Sequence, residues 1–163
     1  MPIGHLFTGG ECLILCCFYY QLTRNQLARR LLPWLAVLFT VYFVCNLYFF
    51  QNIFTYNSYS RTVEAFLMMV VSIGFLQQQL SIKETTRQPW FHSPFLWITM
   101  GLLIYFSGSL FLFFFYEVIS RKMEFYKLGW AMHAVLVLLL YAASAIAFIH
   151  SGKRPPAPST IQV

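Results

Sequence analysis

The chain contains no aspartate, and its acidic complement is five glutamates set against eleven lysines and arginines, for a net charge of +6. Only 10% of its 163 residues are charged, where a soluble domain carries about 25%. That shortage, joined to 59% apolar and 20% aromatic residues and a mean hydropathy of +0.63, excludes an ordinary soluble domain, a disordered tail, a coiled coil and a soluble nucleic-acid module. No loop concentrates enough basic residues to grip nucleic acid. There is also no HExxH, no GxSxG and no phosphate-cradling glycine loop, so the sequence reads as noncatalytic. No lysine or arginine precedes Arg24; the first apolar segment therefore lacks the positive flank of a signal peptide and is expected to be retained. Cys12, Cys16, Cys17 and Cys45 all fall inside apolar segments, which gives no disulfide framework.

What the sequence has in abundance is long apolar runs. Stretches of the length that crosses a bilayer occur at Ile3–Leu22, Leu31–Phe50, Thr62–Leu80, Phe95–Tyr116 and Leu128–Ile149, and only helices fit them. The reading is an all-α polytopic bundle of about five spans over residues 1–150, with a short disordered tail at 151–163, where prolines follow Lys153 and Arg154. The first span is the least regular, since Gly9, Gly10 and Glu11 interrupt it. Arg24, Arg29, Arg30, Lys83, Arg87, Lys153 and Arg154 share one side of this topology, while Arg61, Arg121, Lys122 and Lys127 share the other. The larger basic group belongs in the cytoplasm, which places the N-terminus outside and the C-terminus inside. Trp34, Trp90, Trp130, Tyr116 and Tyr126 stand near span ends, where amphipathic rings prefer the head-group level.

Gly101 and Gly108, seven apart, lie on one face of the fourth span with Ser107 and Ser109 beside them, and they are expected to admit a neighbouring helix closely. The Ala-rich stretch from Ala142 to Ala147 in the fifth span offers the same kind of contact. Ionisable groups within the spans are more informative, because a charge at the bilayer centre costs about 3 kcal/mol or more. Glu11, Glu64 and His133 stand out, and on this topology all three lie toward the N-terminal side of the membrane. With Asn57 and Tyr105 they are the residues expected to line a polar pocket for ligand or proton handling. A purely structural reading stands beside it, in which Glu64 pairs with Arg61 three residues earlier and His133 hydrogen-bonds inside the bundle. No cofactor or metal is expected: His5 and His133 make a single histidine pair, and Cys12, Cys16 and Cys17 lack a partner at metal-site spacing and read as small apolar filler.

The run Phe54-Thr55-Tyr56-Asn57-Ser58-Tyr59-Ser60-Arg61 leading to Glu64, and the run Pro94-Phe95-Leu96-Trp97 leading through Gly101 to Leu103-Ile104-Tyr105-Phe106-Ser107-Gly108, resemble a group of largely uncharacterised bacterial multipass membrane proteins. Those proteins are similar to the membrane sensor segments that precede histidine kinases. The resemblance implies an inner-membrane bundle that senses or binds something at its outer face and acts through a partner, since it carries no kinase half. It also implies a chain abbreviated at its N-terminus. The expected partners are the lipid bilayer and a membrane protein or a second copy of the chain, and not nucleic acid. An accessory or assembly subunit of a larger membrane complex is the alternative, and a small transporter subunit a further one.

Overall fold

A hydrocarbon layer about 30 Å thick is crossed by about 20 residues of α-helix rising 1.5 Å each, with every backbone N–H and C=O satisfied inside the segment. The computed structural model describes residues 2–49, 57–86 and 93–151, and it answers that requirement five times. Its elements are α1 (Pro2–Leu22), α2 (Gln26–Phe49), α3 (Ser58–Thr86), α4 (Pro94–Phe114), a short α5 (Tyr116–Ser120) and α6 (Met123–Ser151). All but α5 are long and apolar enough to cross a membrane, so the protein is an all-helical multipass membrane protein. The expected tail with Lys153 and Arg154, the residues Arg87, Trp90 and His92 of the third connection, and Phe54 to Tyr56 of the resembling stretch lie outside the described residues.

Local chemistry sets the helix ends. The Asn25 side chain accepts the Leu27 N–H at 2.9 Å, which satisfies an orphan donor and starts α2 at Gln26, five residues before the apolar run itself. Pro94 occupies the first turn of α4 behind an extended Ser93, where its missing N–H is harmless. Near Phe115 the helix breaks, and α5 turns the chain through Arg121 and Lys122 into α6. Contrary to the expected irregularity, α1 runs unbroken through Gly9 and Gly10. A Cβ at Gly9 would make only an ordinary 3.5 Å contact with the Phe43 ring, and one at Gly10 would meet nothing.

The neighbour order is α2–α1–α3–α4–α6, with α2 also touching α3 and α5 bridging α4 and α6. The core is made by Cys12, Cys16 and Tyr19 of α1, Phe39 of α2, Ala65, Met68 and Phe75 of α3, and Leu102, Tyr105 and Phe106 of α4. Helices α4 and α6 run antiparallel in close register: Trp97 stacks on His150, Gly101 faces Ala143 and Gly108 faces Leu136. A Cβ at Gly101 would stand 2.8 Å from the Ala143 Cβ, and one at Gly108 would stand 2.7 Å from the Leu136 methyls. The two glycines therefore let the helices approach.

Polarity is distributed as lipid demands. Thr8, Asn46, Ser60, Glu64, Ser72, Thr99 and Ser109 are buried, while Trp34, Leu38, Tyr48, Phe111, Leu138 and Phe148 are exposed. Hydrogen bonds between helices tie the interior. The Tyr19 and Ser72 hydroxyls meet at 2.8 Å, Thr23 donates to the Gln78 carbonyl oxygen at 2.8 Å, and the Asn46 amide donates to Ser60 at 2.9 Å.

Candidate functional site

Arg61, Glu64, Met68, Ser72 and Phe75 recur at intervals of three and four, so they share one stripe along α3, with Asn57 in line just before its first residue. The stripe is polar at its start and apolar toward its far end, and it faces α1 and α4. Its organising residue is Arg61, which the sequence reading assigned to a loop. The first turn of α3 begins earlier than the apolar run, with the Arg61 N–H donating to the Asn57 carbonyl at 3.3 Å, and this draws the side chain into the bundle.

The Arg61 guanidinium lies 5.4 Å from the ring centre of Phe7 on α1 and 5.4 Å from that of Phe113 on α4. A cation over aromatic faces is held by about 0.5–2 kcal/mol per ring, more where water is excluded. The same guanidinium attracts the Glu11 and Glu64 carboxyls, hydrogen-bonds the Tyr105 side chain and acts electrostatically on His133. Four helices thus contribute to one cluster: α1 through Glu11 and Phe7, α3 through Arg61 and Glu64, α4 through Tyr105 and Phe113, and α6 through His133.

The carboxyls are only partly satisfied. Glu64 is 2% exposed, and its Oε1 has no hydrogen-bond partner among the described residues; Oε2 of the half-buried Glu11 is likewise enclosed without one. The two carboxyls are near enough to repel each other. A buried carboxylate oxygen without a partner departs from the general rule that enclosed polar atoms are hydrogen-bonded.

His133 adjoins the cluster across an aromatic wall. Its ring centre lies 5.6 Å from Tyr105, 5.6 Å from Phe113 and 5.8 Å from Trp130, and its Nδ1 lies 3.5 Å from the Ser109 hydroxyl. Phe113 is shared, touching Arg61 and His133 alike. A cavity of about 30 Å³ opens beside His133, walled by Phe113, Tyr116, Tyr126, Gly129 and Trp130. It has room for a water molecule.

Of the five residues singled out in the sequence, the structure brings together Glu11, Glu64, Tyr105 and His133. Asn57 is buried one turn before Arg61, but no hydrogen bond joins its side-chain amide to the others. Ser107 turns back to the Ile104 carbonyl of its own helix at 3.1 Å. The faces of Gly101 and Gly108 are covered within the chain by Ala143 and Leu136. Sequence reasoning offered Arg61 only as a structural partner of Glu64 and missed its place between the rings of Phe7 and Phe113; the available signal was its spacing, four after Asn57 and three before Glu64 on one helical face. Comparison with protein families, curated proteins and solved structures finds no match to this chain.

Proposed function

We propose that this protein is a noncatalytic sensory or ligand-binding bundle whose buried charged cluster receives a signal and passes a helix shift to a partner. The observation that carries the reading is the meeting of Glu11, Arg61, Glu64, Tyr105 and His133 from four helices inside an apolar bundle, with two carboxylate oxygens left unpartnered. Ionisable groups in such surroundings are characteristic of ion, proton and ligand sites. The resemblance to sensor segments of bacterial membrane proteins agrees with this, and with it goes the bacterial inner membrane as location. The orientation is N-terminus outside and C-terminus inside, which opens the cluster outward. It rests on the basic-residue asymmetry.

A second reading, an accessory or assembly subunit, draws on α2. Apolar grooves of about 340 Å³ and about 440 Å³ flank it, one against α1 at Leu13, Cys17 and Pro33 and one against α3 at Leu38, Val63 and Leu67, where a partner helix fits as readily as acyl chains. The deciding experiment is purification from native membrane in nanodiscs, followed by mass spectrometry of every retained protein and small molecule. Under the sensory reading Glu64→Gln and Arg61→Gln alter the retained set or its response while insertion is unchanged. Under the subunit reading a stoichiometric partner stays bound whatever stands at those positions. Equal loss of folding in every cluster variant would leave the cluster a structural device only.

A further inference from the structure

We propose that the cluster binds one exchangeable proton, shared between the Glu11 and Glu64 carboxyl groups with Arg61 as their single counter-ion. The proposal rests on the reading of the cluster as the receiving site and names its ligand. Counting charge carries the argument. Two carboxyls and one guanidinium stand together in a water-poor interior, so full ionisation leaves one uncompensated negative charge, which such an interior does not hold. The Glu64 carboxyl is almost wholly buried with one oxygen unpartnered, and the facing Glu11 carboxyl has an unpartnered oxygen of its own. One proton between them removes the excess charge.

The other groups facing the pair do not supply the missing positive charge. From α4 comes the Tyr105 hydroxyl, already engaged with Arg61. From α6 comes His133, whose ring is set among those of Tyr105, Phe113 and Trp130. The thiols of Cys12 and Cys16 on α1 lie within electrostatic reach and carry no positive charge, His5 is buried nearly two turns before Glu11 on the same helix, and from α2 the amide of Asn46 is bonded to Ser60. A metal ion would have to sit against the Arg61 guanidinium. A proton needs no cavity.

The test is infrared difference spectroscopy of the chain in lipid nanodiscs, stepped between about pH 6 and about pH 11, a range in which exposed glutamates stay ionised. Expected is a protonated-carboxyl C=O band, shifted in D2O, that disappears as pH rises and accounts for one proton per chain. Glu11→Gln and Glu64→Gln should each abolish it, because the remaining carboxylate is balanced by Arg61. Arg61→Gln should double it, and Glu124→Gln, outside the cluster, should leave it intact. The proposal is overturned by absence of the band in the wild-type chain, by a stoichiometry other than one, by survival of the band in either Gln variant, or by a band that emerges only when alkali ions are withdrawn. Should a variant fail to fold, the wild-type stoichiometry decides by itself. A band behaving as expected, with partner association indifferent to pH and to Glu64→Gln, would refute the receiving-site reading and keep the proton; a missing band with Glu64-dependent association would do the reverse.

Discussion

Single residues in this protein act through what lipid denies them, which is water. Tyr19 is 1% exposed, with its hydroxyl on Ser72 of α3 and within hydrogen-bonding reach of Thr99 on α4. Tyr19→Phe should lower stability by about 0.6 kcal/mol and by no more than about 1.7 kcal/mol, the scale of hydrogen bonds between membrane helices, since Ser72 can turn to a backbone carbonyl. Reversible unfolding in mixed micelles measures it. A loss well beyond that scale would make the three hydroxyls one cooperative network. Glu11, Glu64, Tyr105 and His133 were legible in the sequence because polar groups stand out in apolar runs. Arg61 was legible as a neighbour of Glu64 but not as a residue of the bundle interior, because a basic residue at the edge of an apolar run looks the same whether its helix starts before it or after it. The Tyr19–Ser72 bond was equally hidden, since it depends on how two helices are rotated, and the length of an apolar run carries no rotation.

Among the helices, α4 is the axle: it alone packs broadly against both α3 and α6, and its two glycines set the distance to α6. Those glycines are not equivalent. At Gly101 an added Cβ meets the Cβ of Ala143, which moves only with its backbone, whereas at Gly108 it meets the ends of the Leu136 side chain, which can rotate. Gly101→Ala should therefore destabilise by about 1–3 kcal/mol, as overpacking does, and Gly108→Ala by less than about 1 kcal/mol. The same unfolding assay ranks them, and the reverse order would mean that α6 sits in another register. All five spans were readable from length alone, and the glycine face of α4 from its spacing. The starts of α2 and α3, the short α5 and the neighbour order were not, for these depend on a side-chain cap, on backbone breaks and on tertiary packing rather than on hydropathy.

Across the whole molecule the polar interior is divided by depth. The half that holds the start of α1 carries the charges, with Glu11, Arg61, Glu64 and His133 all within about 15 Å of a helix end at 1.5 Å per residue. The other half is tied by neutral groups, Tyr19 with Ser72 and Thr23 with Gln78. On the proposed orientation, Arg24→Cys should react with a membrane-impermeant maleimide from the cytoplasmic side only and Lys122→Cys from the opposite side only. The reversed pattern would turn the cluster toward the cytoplasm and sink the outward-facing reading. Cys12 and Cys16 are buried in the bundle, and the assay is run in a background where the exposed Cys17 and Cys45 are replaced by serine.

The order in which the cluster is synthesised has its own consequence. Glu11 leaves the ribosome about 50 residues ahead of Arg61, a delay of about 2.5–10 s at about 5–20 residues per second. During that interval the first helix carries an acidic group into the insertion machinery with no counter-ion yet made, while Arg61 and Glu64 later arrive together, less than one turn apart on the same helix. Entering lipid alone and ionised would cost α1 about 3 kcal/mol, a penalty that falls away once α3 brings Arg61, so the final seating of α1 is favoured by the nascent bundle as well as by its own hydrophobicity.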